Sequence, residues 1–243
     1  MLKLNCDLGE LEGENNDALI MPLIDQANIA CGFHAGDKLT MHQTVALAIK
    51  HQVTIGAHPS YPDRENFGRL SMKMPADKLI ICLHEQISAL NIICQTQQSR
   101  VCYVKPHGAL YNDMMANLSL FETVCQAINS FDNSLPLMIQ ALPSPSQYQS
   151  IALKYGITLY YEAFADRAYQ NNGLLVPRNQ QGAVLHQQEK VVKQIRQLIH
   201  QQQLTSIDNQ VLNLQVDTLC VHGDNAAALE LIHALRALIN ATG

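Results

Sequence analysis

The chain has 243 residues, 47% of them hydrophobic and only 15% charged, with 16 Lys and Arg against 21 Asp and Glu. A formal charge of −5 without any basic cluster excludes a nucleic-acid binder, and the apolar content excludes a disordered chain. The seven scattered cysteines form no C-x-x-C pair, the N-terminus has no apolar signal core, and no apolar run approaches about 18 residues, so the expectation is a soluble cytoplasmic protein without disulfides or a membrane segment.

Short apolar or β-branched runs alternate with helical patterns along the chain. Residues 2–6 read as a first strand, 18–24 as a short helix and 26–31 as a second strand. Residues 38–51 form a helix with Met41, Val45, Ala48 and Ile49 on one face, and Asp37 stands ahead of it as an N-cap. Residues 53–57 are a third strand. Pro75 opens a long helix with the stripe Leu79, Leu83, Ile87, Leu90, Cys94. Residues 101–105 are a fourth strand and 119–129 the helix after it. Strands at 137–141 and 158–163 flank a helix at 146–155. A Gln-rich helix at 187–202, a strand at 219–222 and a helix at 225–240 close the chain.

This alternation, without a linker or composition break, predicts one α/β domain over 1–243 with a parallel sheet. No glycine-rich phosphate turn follows any strand, as an open doubly wound sheet would advertise, so a barrel of seven or eight strands fits better. Polar residues then gather at the C-terminal ends of the strands. Asn5, Asp7 and Glu10 end the first, His34 and Asp37 follow the second, and His58, Asp63 and Arg64 follow the third. Lys105, His107 and Asn112 follow the fourth, Glu162, Asp166 and Arg167 end the sixth, and His222 and Asp224 end the last. In a parallel barrel all these ends meet on one face, where active sites are built.

Single residues have plainer explanations: Asp37 and Asp224 cap helices as well as they catalyse, and Asp166-Arg167 suits a surface ion pair. Four histidines beside Gly or Pro (His34, His58, His107, His222) are harder to explain so. Asp7, His34, His58 and His222 have the donor types for a divalent metal, though without a compact ligand spacing. No nucleophile elbow appears. The residues alone therefore indicate a barrel hydrolase with a His/Asp/Lys mouth.

The strings Leu4-Asn5-Cys6-Asp7-Leu8-Gly9-Glu10, Ala27-Asn28-Ile29-Ala30-Cys31-Gly32-Phe33-His34-Ala35-Gly36-Asp37 and Gly56-Ala57-His58-Pro59-Ser60-Tyr61-Pro62-Asp63-Arg64 closely resemble the LamB/YcsF family. So do Lys105-Pro106-His107-Gly108-Ala109-Leu110-Tyr111-Asn112, Glu162-Ala163-Phe164-Ala165-Asp166-Arg167, Val176-Pro177-Arg178 and His222-Gly223-Asp224. Two places depart from the pattern: residues 140–147 replace a Gly/Ser-containing turn, and Cys6 stands where a small residue is usual.

The resemblance implies a distorted, roughly seven-stranded β/α barrel similar to carbohydrate deacetylases. It also implies an ATP-dependent opening of 5-oxo-L-proline to L-glutamate, carried out with partner subunits B and C. In that chemistry Asp7 or Glu10 is the general base, Lys105 and His107 stabilise charge, and His58 or His222 carries the proton to nitrogen. Arg167 or Arg178 holds the substrate carboxylate, and Asn5, His34, Asp63, Arg64, Asn112, Glu162, Asp166 and Asp224 complete the substrate contacts. ATP is the co-substrate, with its site shared with the partners. A divalent metal and a homo-oligomer are left open. The rival readings are a metal-dependent amidohydrolase or deacetylase and a non-catalytic lactam-binding component.

Overall fold

A computed structural model describes residues 2–10, 16–221 and 226–241, with the backbone alone for 226–228. Seven parallel strands close into a barrel in the order β1 (Lys3–Leu8), β2 (Gln26–Ala30), β3 (Thr54–His58), β4 (Tyr103–Val104), β5 (Leu137–Gln140), β6 (Leu159–Phe164) and β9 (Thr218–Cys220). The pairing of β9 with both β6 and β1 completes the ring. This is the smaller of the two strand counts expected from the sequence. β7 (Gln203–Thr205) and β8 (Val211–Asn213) form a separate antiparallel pair that the sequence reading missed.

The helices are α1 (Asp17–Ile20), α2 (Lys38–Lys50), α3 (Ala76–Thr96), α4 (Gly108–Ala116), α5 (Leu118–Asp132), α6 (Ser146–Lys154), α7 (Gln188–Gln201) and α8 (Ala226–Asn240). Asp37 does cap α2, its carboxylate accepting from the Thr40 amide at 2.7 Å. The Asn117 side chain does the same for α5, which separates that helix from α4. α4 was not expected; it buries Ala109, Leu110, Tyr111, Met114 and Met115 and exposes Asn112 and Ala116, but over only nine residues. α3 has the length and apolarity of a membrane-crossing helix, but its predicted stripe, Leu79 to Cys94, is buried in the core.

Adjacent residues of a strand face opposite sides of the wall. Leu4, Cys6 and Leu8 of β1 join Ile29, Ala57 and Leu137 in the apolar core between barrel and helices. Asn5 and Asp7 of the same strand belong instead to a polar network inside the barrel. The strand ladders set its level, with Asn5 opposite Gln26 and Cys220, and Gly56 opposite Tyr103.

Candidate active site

Lys105 is the hub of the barrel interior. Its Nζ lies 2.9 Å from Asp7 Oδ1 on β1 and 3.1 Å from Glu162 Oε2 on β6. It also donates to Cys220 Sγ on β9 at 3.2 Å and to Asn5 Oδ1 at 3.4 Å. Lys105 is 2% exposed and Glu162 wholly buried, so neither charge is sustainable without the other. Burial opposes the ammonium charge, but the Asp7 carboxylate, with Glu162, outweighs it and raises the Lys105 pKa well above its ordinary value. Asn28 on β2 donates to both Asn5 Oδ1 and Asp7 Oδ1 at 2.8 Å and accepts from the Tyr103 hydroxyl at 2.7 Å. Asn5 passes the chain of bonds to Thr218 at 3.0 Å. Asp7 is thus held from two sides through Oδ1, while Oδ2 lies 3.4 Å from His58 Nε2.

Beside Asp7 three imidazoles pack together. His58 Nδ1 lies 2.7 Å from the Lys105 carbonyl, and His107 Nε2 lies 3.0 Å from the Phe67 carbonyl. A carbonyl only accepts, so both of these ring nitrogens carry hydrogen. The other two nitrogens, His58 Nε2 and His107 Nδ1, face each other at 2.9 Å. His34 stacks on His107 with ring centres 3.8 Å apart, and Glu10 Oε1 lies 3.3 Å from both His34 Nε2 and His107 Nδ1. Burial, reinforced by the charge of neighbouring histidines, pulls His34 down to about 3 and His107 to about 2, so both rings are neutral near pH 7.

The segment that supplies the Phe67 carbonyl is constrained. Phe67 adopts φ 56°, which L-residues seldom take, and Gly68 follows at φ 64°. A Cβ on Gly68 would sit 2.9 Å from His34 Cβ and 3.1 Å from His107 Cδ2, so glycine lets the backbone lie directly on the histidines.

A cavity of about 860 Å³ opens at this end of the barrel. Of the residues expected at the site, Asp7, Glu10, His58, Lys105, His107, Asn112, Arg167 and Arg178 line it. Asn5, His34 and Glu162 lie behind that lining and support it. Arg167 is tied to the backbone, donating to Val176 O at 2.7 Å and Ala183 O at 3.3 Å, and burial followed by the Arg178 charge lowers its pKa to about 10.

Three further expected substrate contacts are not among the lining residues, and two of them hold loops. Asp63 accepts from Asn66 and the Leu70 amide, and Arg64 donates to the carbonyls of Gly32 and Gly36. Asp166 is the third. His222 and Asp224 lie outside the described residues. Among the described residues, Glu10, His34, His58 and His107 form a donor group whose ligand atoms all lie within 4.8 Å of one another, while the expected set Asp7, His34, His58, His222 includes a residue outside them. Asn28, Arg69, Tyr111 and Gln140 were not selected from sequence, although Asn28 beside Gln26 in an otherwise apolar strand was a readable period-two signal.

The model of the LamB/YcsF family matches residues 2–243. A protein of Pseudomonas fluorescens (strain Pf0-1), by name the A subunit of 5-oxoprolinase, is 50% identical over 242 residues, covering 98% of this chain and 97% of its own. A protein of the same name from Vibrio cholerae (strain O395) is 46% identical over 98% of each chain. The crystal structure of a lactam utilization protein from Thermus thermophilus superposes with a TM-score of 0.89 at 33% identity, covering 99% of this chain and 96% of that one.

Proposed function

The chain belongs to the LamB/YcsF family, and from that premise we propose that it is the A component of an ATP-dependent 5-oxoprolinase, opening 5-oxo-L-proline to L-glutamate together with subunits B and C. The observation that supports this most is the gathering of Asp7, Glu10, His58, Lys105 and His107 on one wall of a cavity at the C-terminal end of the barrel. An unstrained lactam resists water. Transfer of the γ-phosphoryl group of ATP to the amide oxygen yields ADP and an electrophilic carbon. One water adds there, the C–N bond breaks as nitrogen takes up a proton, and a second water cleaves the resulting acyl phosphate to glutamate and phosphate.

In this scheme Asp7 accepts the proton of the attacking water and returns it to the leaving nitrogen. Lys105 pairs with Asp7 and adds positive potential beside the polarised oxygen. Arg178 and Asn112 hold the substrate carboxylate, while Arg167 shapes the wall around it. The chain has no glycine-rich phosphate loop, so the partners contribute to holding the nucleotide.

The test is formation of ADP and glutamate from 5-oxoproline by this chain alone and with B and C. Glutamate only from the full mixture is the expected result. No glutamate from a mixture shown to assemble would overturn the reading. In that mixture Asp7→Asn lowers turnover about 100-fold or more, and near-normal turnover would remove Asp7 as the base. The cluster of Glu10 with three histidines favours one rival, metal-dependent amide hydrolysis. Ring opening that needs no ATP and stops on chelation would install it.

A further inference from the structure

We propose that Glu10, His58 and His107 hold one divalent transition-metal ion of the zinc class at the mouth of the barrel, with a fourth position open to the cavity. The argument starts from the ring tautomers. The Lys105 and Phe67 carbonyls each demand a hydrogen from one nitrogen of His58 and His107. Each neutral ring then has only a lone pair on its other nitrogen, and these two lone pairs point at each other across 2.9 Å. Two acceptors at that distance repel unless a cation lies between them.

A proton would relieve the clash for those two atoms alone. Three donor atoms converge, however, because Glu10 Oε1 lies 3.3 Å from His107 Nδ1 and 3.9 Å from His58 Nε2. A tetrahedral zinc ion with bonds of 2.0–2.1 Å sets its ligand atoms roughly 3.3–3.4 Å apart, and the three separations of 2.9, 3.3 and 3.9 Å bracket that spacing. The backbone carbonyls behind His58 and His107 are the outer partners that orient metal-bound imidazoles. Imidazole and carboxylate donors without thiolate favour zinc-class ions over calcium or magnesium. His34 lies parallel to the His107 ring at 3.8 Å and cannot share an ion in that ring's plane; its Nε2, 3.3 Å from Glu10 Oε1, positions the carboxylate instead. Glu10, His58 and His107 line the cavity, which gives an ion a path of entry.

The inference depends on ring chemistry and not on the substrate, so its test needs no turnover. The full chain, stripped of metal with a chelator and dialysed, is titrated with zinc by calorimetry and separately loaded with cobalt(II). One zinc ion per chain and the visible bands of four-coordinate cobalt are expected. His58→Gln and His107→Gln each weaken binding about 100-fold or more, and His34→Gln weakens it about 10-fold. His84→Gln, whose ring meets the Ala127 carbonyl, leaves binding unchanged. Circular dichroism verifies folding of each variant, and the near-isosteric Glu10→Gln stands in for any that fails. Absence of stoichiometric uptake overturns the proposal. So does one ion bound with unchanged affinity in folded His58→Gln and His107→Gln, or a single proton shared by the two rings in nitrogen NMR without metal uptake.

Discussion

On the outer face of β1, Leu4, Cys6 and Leu8 are buried in the apolar layer under the helices. On its inner face Asn5 and Asp7 are tied to Asn28 and Lys105. Both faces are shielded from water, yet they are stabilised differently. The outer face gains free energy in proportion to apolar area, so losses there are graded. The inner face contributes only while each polar group keeps its partner, because an unpaired buried charge costs several kcal/mol. A polar interior is therefore the costlier way to fill a barrel, and it places charged groups under the floor of the cavity.

Removing the hub should show the contrast at its largest. Lys105→Met leaves Asp7 and the wholly buried Glu162 without their shared cation, so urea unfolding should show a loss of about 3–5 kcal/mol. Lys154→Met on the surface breaks an ion pair with Glu122 at 2.6 Å, and it should leave the unfolding midpoint unmoved because both partners remain in water. Adding Glu162→Gln to Lys105→Met removes one stranded charge and should restore part of the loss. Equal effects at the two lysines would erase the distinction between inner network and surface pair.

A smaller effect is expected where the interior is filled by shape. Gly56 has no side chain because the Tyr103 ring takes that space; an added Cβ would lie 2.2 Å from the ring. Gly56→Ala should cost about 1–3 kcal/mol by overpacking, and pairing it with Tyr103→Leu should recover part of that by vacating the space. The recovery cannot be complete, since the Tyr103 hydroxyl orients Asn28 and through it Asp7. Turnover should accordingly stay low in the double variant even as stability returns.

The barrel was legible because its alternation is regular and polar residues stand at the end of nearly every strand. Which polar residues meet was not. The sequence places His34, His58, His107 and His222 alike after strands, but His107 enters the cluster through a carbonyl on Phe67 at φ 56°, a backbone state that no spacing announces. Asp63 and Arg64 occupy equally suggestive positions and are drawn off by local bonds to Asn66 and to the Gly32–Gly36 turn. The inner network was partly readable in the alternation of Asn5 with Asp7 and Gln26 with Asn28. Reading only strand ends overlooked it, because β2 looks like a continuously buried strand in which polar residues have no reason to recur. α4 escaped because its nine residues span too few turns to display a clear period.

The mildest test uses one substitution on the two sides of the wall. Cys6 is buried in the apolar core, with Sγ 3.6 Å from the Asp7 carbonyl. Cys220 also counts as core by burial, but its Sγ accepts from Lys105 Nζ at 3.2 Å. Burial raises both thiols well above their ordinary pKa, so each is a neutral group at pH 7. Serine is close in size, and the exchange mainly asks whether a hydroxyl finds a partner. Cys220→Ser offers the ammonium a better acceptor and should shift stability by no more than about 0.5 kcal/mol. Cys6→Ser places a hydroxyl among aliphatic neighbours with one distant carbonyl in reach and should cost about 1–2 kcal/mol. Equal losses in urea unfolding would mean that the interior around Lys105 is as intolerant of a new polar atom as the apolar layer, and the two-rule picture of the wall would fail at Cys220.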